Sequence, residues 1–162
     1  MPKTYDVIAS TTLSSNQSSV TFSSLGSYTD LVIVGTWRFA TTGNDLGIRF
    51  NGDATNGNYP VQQIVGEGVG AVGNDSNSTN LRAVNNGMSN FDYGFEINII
   101  DYRNTSQYKP VITRWSGNNS VGIFAGCWLS NSAITQIDLV KSDGTGTIAS
   151  GSIFTLIGVL KA

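Results

Sequence analysis

The residues of this chain that could do chemistry are few and badly placed for it. There is no histidine and a single cysteine, Cys127. A Ser-His-Asp triad, a Cys-His pair and His-ligated zinc or iron are therefore excluded, as are intramolecular disulfides and Cys-rich metal sites. Carboxylates are what remain. A glycosidase needs two of them facing one sugar bond, about 5–10 Å apart. Asp92 and Glu96 share a strand face, but four residues of strand separate their Cα atoms by roughly 13 Å. Asp101 has the opposite parity. The simpler reading is that these are solvated strand and turn residues, and no catalytic role is expected.

Three other motifs yield to plainer readings. Gly68-Val69-Gly70-Ala71-Val72-Gly73 matches G-x-G-x-x-G, but a dinucleotide site needs a helix next to hold the pyrophosphate. The following Asn-Asp-Ser-Asn-Ser-Thr-Asn cannot carry an amphipathic helix. Asn51-Gly52-Asp53-Ala54-Thr55-Asn56-Gly57 and Asp143-Gly144 look like oxygen-ligand loops. Calcium wants six to eight oxygens, usually from several carboxylates, and the first loop has only Asp53. A turn using Asn-Gly for positive φ explains that loop more simply. No cofactor and no metal are expected. Cys127, between Gly126 and Trp128, reads as a buried small hydrophobe. Tyr59, Tyr102 and Tyr108 sit at strand ends near Asn, Asp and Gly. They are candidates for a glycan- or protein-binding rim, or ordinary rim residues.

The scaffold for these groups is expected to be all-β. The chain has 162 residues, matching one domain over 1–162. Ser, Thr, Asn and Gly fill more than two fifths of it. These residues serve turns and strands, while strong helix formers are depleted. Charged residues are 12% and the net charge is −2, with the nine basic residues scattered, so there is no field for nucleic acid or an acidic membrane. No apolar run approaches the roughly 20 residues of a spanning helix, and from the opening Met1-Pro2-Lys3 no secretory leader is expected. Synthesis in a cytoplasm is expected.

Period-2 alternation recurs along the chain. Leu31, Ile33, Trp37 and Phe39 share one face of a strand, and Phe91, Tyr93, Phe95, Ile97 and Ile99 share one face of another. Val111–Trp115 and Val121–Leu129 flank a five-residue loop, Ser116 to Ser120, and read as a hairpin. On the second of these, Gly122, Phe124, Gly126 and Trp128 share a face where small residues make room for large ones. Trp37, Trp115, Trp128, Phe95 and Phe124 are expected in the core. Further strands are expected near Tyr5–Ala9, Val20–Phe22, Leu46–Phe50, Tyr59–Val65, Ile134–Val140 and Ile153–Lys161, with Leu81–Val84 the weakest. Gly66 to Asn80 reads as a long exposed loop. Nine or ten short strands with frequent turns suggest an antiparallel β-sandwich or jelly roll.

A series of segments carries a resemblance. It includes Tyr5-x-x-Ile8-Ala9-Ser10-x-Thr12-Leu13, Ser27-Tyr28-Thr29-Asp30-Leu31-Val32-Ile33-Val34, Ile48-Arg49-Phe50-Asn51-Gly52-Asp53 and Asp101-Tyr102-Arg103-Asn104-Thr105. Near the end come Trp128-Leu129-Ser130-Asn131-Ser132-Ala133-Ile134 and Gly151-Ser152-Ile153-Phe154-Thr155-Leu156. In this order they resemble the small β-sandwich virion proteins of tailed phages, over nearly the whole chain. The resemblance implies a structural role in the virion and no catalysis. It implies a head decoration (cement) protein, usually a homotrimer on the major capsid protein. The alternative is a tail-fibre or baseplate module that meets host-surface glycans. It supplies no catalytic motif and no defined binding residues.

Overall fold

The computed structural model describes residues 4–40, 44–66, 70–75, 78–87, 91–118, 120–142 and 146–160. Among them lie twelve strands and no helix: β1 (Tyr5–Thr12), β2 (Ser19–Phe22), β3 (Asp30–Trp37), β4 (Asn44–Phe50), β5 (Val61–Gly66), β6 (Gly70–Asp75), β7 (Leu81–Gly87), β8 (Tyr93–Ile99), β9 (Lys109–Gly117), β10 (Ser120–Trp128), β11 (Ile137–Lys141) and β12 (Ile153–Val159). All pairings are antiparallel. They form an eight-stranded sheet, β1-β12-β3-β8-β9-β10-β5-β6, and a four-stranded sheet, β2-β11-β4-β7.

The strand order identifies the winding. Set aside the hairpins β5–β6 and β9–β10, and number the other eight strands in chain order. One sheet then reads 1-8-3-6 and the other 2-7-4-5. That is a jelly roll, in which the chain passes repeatedly from one sheet to the other. The two set-aside hairpins both widen the larger sheet.

The alternation in the sequence becomes the core. Along β9, inward Val111, Thr113 and Trp115 alternate with outward Ile112, Arg114 and Ser116. Trp37, Tyr93, Trp115 and Phe124 form a ladder of rings across β3, β8, β9 and β10, with successive centroids 6.2, 6.1 and 6.3 Å apart. Each such buried side chain contributes about 1.5–3 kcal/mol through removal from water. Gly122 makes the ladder possible, because a Cβ there would collide with the Trp115 indole. The five aromatic residues expected inside, Trp37, Trp115, Trp128, Phe95 and Phe124, are all buried.

Several expectations need correction. The segment read as a loop from Gly66 to Asn80 contains β6, which pairs with β5 from Val61↔Asp75 to Gly66↔Gly70. Gly and Asn weaken a strand but do not forbid one when its neighbour offers a ladder. The β9–β10 connection is shorter than five residues, since Gly117 already pairs with Ser120. Asn118 there has a φ of 43°, as a tight hairpin turn requires. Phe91 precedes β8 and is exposed, and β11 begins at Ile137 instead of Ile134. Tyr59 and Tyr102, expected at the rim, are fully buried. Cys127 is half-buried, and partial burial raises its thiol pKa.

Candidate functional site

Among the described residues the candidate carboxylates Asp92, Glu96 and Asp101 lie apart, and each has a partner of its own. Asp92 accepts from two nitrogens of Arg38, Nε at 2.9 Å and Nη2 at 2.8 Å. Glu96 accepts from Asn98 Nδ2 and from Arg114 Nη2, each at 2.7 Å, and these bonds lower its pKa. Asp101 stands in a left-handed conformation, with φ of 48°, and its backbone N–H donates to Asp30 Oδ1. Asp92, Glu96 and Asp101 are thus not set up to share a proton. Among the described residues no group of three or more His, Cys, Asp or Glu side chains is gathered to hold a metal ion.

The Asn51–Gly57 loop is a turn built around one carboxylate. Asn51 and Gly52 have φ of 53° and 70°, and the Asp53 N–H returns to the Phe50 carbonyl at 2.9 Å. The Asp53 carboxylate accepts Trp128 Nε1 at 2.7 Å, Asn58 Nδ2 at 2.9 Å and the Thr55 N–H at 2.8 Å. These donors explain the loop without a cation. Buried Tyr59 bridges the same turn, accepting from the Phe50 N–H and donating to the Asp53 carbonyl. Of the three tyrosines considered for a binding rim, only Tyr108 is exposed. Asp143-Gly144, and Gly68-Val69 of the glycine motif, lie outside the described residues.

What the fold presents instead is an apolar patch on the outer face of the large sheet. Ile123 of β10 lies directly opposite Ile64 of β5 on one side and Arg114 of β9 on the other. Directly opposed residues of an antiparallel pair share a face. One pleat along, Ala125 lies opposite Gln62 and Ile112. One pleat the other way, Val121 lies opposite Gly66 and Ser116. Ile64, Val121, Ile123 and Ile112 are 63, 57, 49 and 41% exposed. Single exposed apolar residues are ordinary, but a contiguous group with a polar border is the mark of an interaction surface. The border here is Gln62, Ser116 and the Arg114–Glu96 ion pair.

Sequence reasoning did not single out these four residues. The signal was present, since Val121, Ile123 and Ala125 are apolar at the parity opposite Gly122 and Phe124. A strand apolar on both faces is either covered twice or leaves one face bare. The pairing of β10 with β5 and β9, with no layer over it among the described residues, decides for the second.

No family model matches this chain, and no curated protein matches it. Among solved structures, a chain in the structure of infectious bursal disease virus, Gx strain, is similar at 15% identity and a TM-score of 0.22. That alignment covers 96% of this chain and 42% of the viral one, so this chain spans less than half the length of that neighbour. A likeness of that TM-score carries no functional argument.

Proposed function

We propose that this protein is a structural component of a tailed-phage virion, a head decoration protein that joins its neighbours through the outer face of the eight-stranded sheet. The apolar patch of Ile64, Ile112, Val121 and Ile123 supports this reading. An apolar centre with a polar border is how protein interfaces are built. The ion-paired or hydrogen-bonded carboxylates Asp53, Asp92 and Glu96 favour a packing role over a hydrolytic one. The sequence resemblance to phage virion proteins supplies the particle, the expected homotrimer and the major capsid protein as partner.

Two measurements test the reading. Immunogold imaging of virions places the protein, with label over the head expected and label confined to the tail overturning the head assignment. Light scattering on the purified protein reads its assembly. Self-association that Ile123→Asp abolishes is expected. A wild-type chain that stays monomeric and fails to bind capsid shells removes the assembly role of this face.

A further inference from the structure

The patch on β5, β9 and β10 has a counterpart across the same outer face, on β1, β12 and β3. Tyr5 of β1 lies directly opposite Val159 of β12, and Val7 lies opposite Ile157. Ile157 in turn lies opposite Val32 of β3. Opposed residues share a face, and here it is the outer one, because the alternate residues Leu31, Ile33, Phe154 and Leu156 are buried. Tyr5 and Val7 are 65 and 62% exposed, while Val32, Ile157 and Val159 are half-buried. The border is again polar and internally satisfied. Asp30, opposite Val159, accepts from the Asp101 N–H, and the Ser10 and Thr155 hydroxyls bond each other at 2.9 Å.

Strand β8 divides the two groups. Its outward residues are Gly94, Glu96 and Asn98, and none carries an apolar side chain. Asn98 stands in register between Val32 on one side and Ile112 on the other. Glu96 accepts from both Asn98 and Arg114, so the polar groups of this stripe are spent on one another. The groups are centred on β12 and β10, four strands apart in the sheet. Neighbouring strands turn by about 20–25°, so the two groups face directions roughly 80–100° apart. No single flat partner covers both.

This division decides how copies of the chain can join. If each group met its own equivalent across a dyad, two unlike contacts would be needed to cover both. If one group meets the other, a single kind of contact covers both on every copy, and its repetition closes a ring. Each group also offers what the other needs, an apolar centre whose border leaves no charge unpaired on burial. We infer that Ile64, Ile123 and Val121 of one copy pack head to tail on Tyr5, Val7 and Ile157 of the next. The inference rests on the reading of the first patch as an assembly surface and names what that patch receives.

Sedimentation of two variants of the full chain, alone and mixed, tests it. Ile123→Asp spoils one group and Val7→Asp the other, and both change exposed side chains, so circular dichroism should show each folded as the wild type is. Tyr5→Asp, in the same group as Val7, is the second variant there and should behave as Val7→Asp does. Each variant alone is expected to stay monomeric. An equal mixture of Ile123→Asp and Val7→Asp is expected to recover a one-to-one dimer and nothing larger. The intact patch of the Val7→Asp copy then meets the intact β1–β12 group of the Ile123→Asp copy, and the two remaining groups are both spoiled. If Val7→Asp and Tyr5→Asp assemble as the wild type does while Ile123→Asp fails, the head-to-tail contact is overturned and the patch reading stands. It is overturned likewise if both groups are needed but the mixture recovers no dimer, or if the wild type stays monomeric whatever it binds on a capsid. If Ile123→Asp assembles as the wild type does, the patch reading falls and takes the inference with it.

Discussion

Trp128 Nε1 donates to Asp53 Oδ2 at 2.7 Å, tying the end of β10 to the turn after β4. Partial burial works against ionisation of Asp53, but the donors from Trp128, Asn58 and Thr55 outweigh it and hold the carboxyl at about 2, below its ordinary value of 3.8. A depressed carboxylate stabilises the fold above the unfolded pKa, and that stability is lost as pH falls through the folded one. The window is therefore about pH 4 down to about pH 2, and the amount is about 2 kcal/mol. Denaturant titrations at a series of acidic pH values should show this loss in the wild type and not in Asp53→Asn.

Tyr59 gives the opposite edge of the pH range. Burial is the main cause that raises its phenol well above the ordinary value. A raised folded pKa contributes stability that is complete below about pH 10 and lost as pH rises above it, because only the unfolded chain ionises readily. Tyr59→Phe removes that alkaline loss. It also removes the bonds to the Phe50 N–H and the Asp53 carbonyl. Near neutral pH it should cost about 1–3 kcal/mol, since a buried backbone N–H loses its partner. Stability of both proteins measured at pH 7 and pH 11 checks the two effects separately.

Asn51 is a staple as well as a turn residue. In its left-handed conformation it accepts from the Thr135 N–H at 2.8 Å and the Gln136 N–H at 3.1 Å, and donates to the Ala133 carbonyl at 2.9 Å. Asn51→Ala loses the bonds and strains the backbone, while Asn51→Gly loses only the bonds. The alanine variant should be destabilised by about 2–3 kcal/mol and the glycine variant by about 1 kcal/mol less. Equal losses in thermal unfolding would show that the left-handed φ carries no cost.

Some of this was legible in the sequence because strand parity is local. The inward series Tyr93, Phe95, Ile97 and Ile99 follows from alternation alone, and the Asn51-Gly52 turn from the residues that tolerate positive φ. What was not legible is non-local. Tyr59 and Tyr102 stand beside polar residues in the chain, yet their hydroxyls are satisfied by backbone groups of the β4–β5 turn and the β2–β3 loop, and so both are buried. The strand Gly70–Asp75 depends on the edge of β5 for its ladder. Ile64 and Ile123 are likewise distant in the chain, and only the pairing of β5 with β10 sets them opposite each other on one face.

The sheet-face patch makes a prediction that separates apolar from ionic assembly. Arg114 beside Ile123 is already paired with Glu96, 2.7 Å away, so it has little charge to offer a partner. Association through Ile64, Ile112, Val121 and Ile123 should then depend on apolar area and be nearly indifferent to screening. Sedimentation between low and high sodium chloride should change the dissociation constant by less than about twofold, while sodium sulfate should tighten it. Ile123→Asp places a charge at the centre of the patch, where desolvating it costs several kcal/mol, and should abolish association. Because Ile123 points outward, the same variant should melt within a few degrees of the monomeric wild type. Steep weakening by sodium chloride would mean that charges on the border, and not the isoleucines, hold the contact.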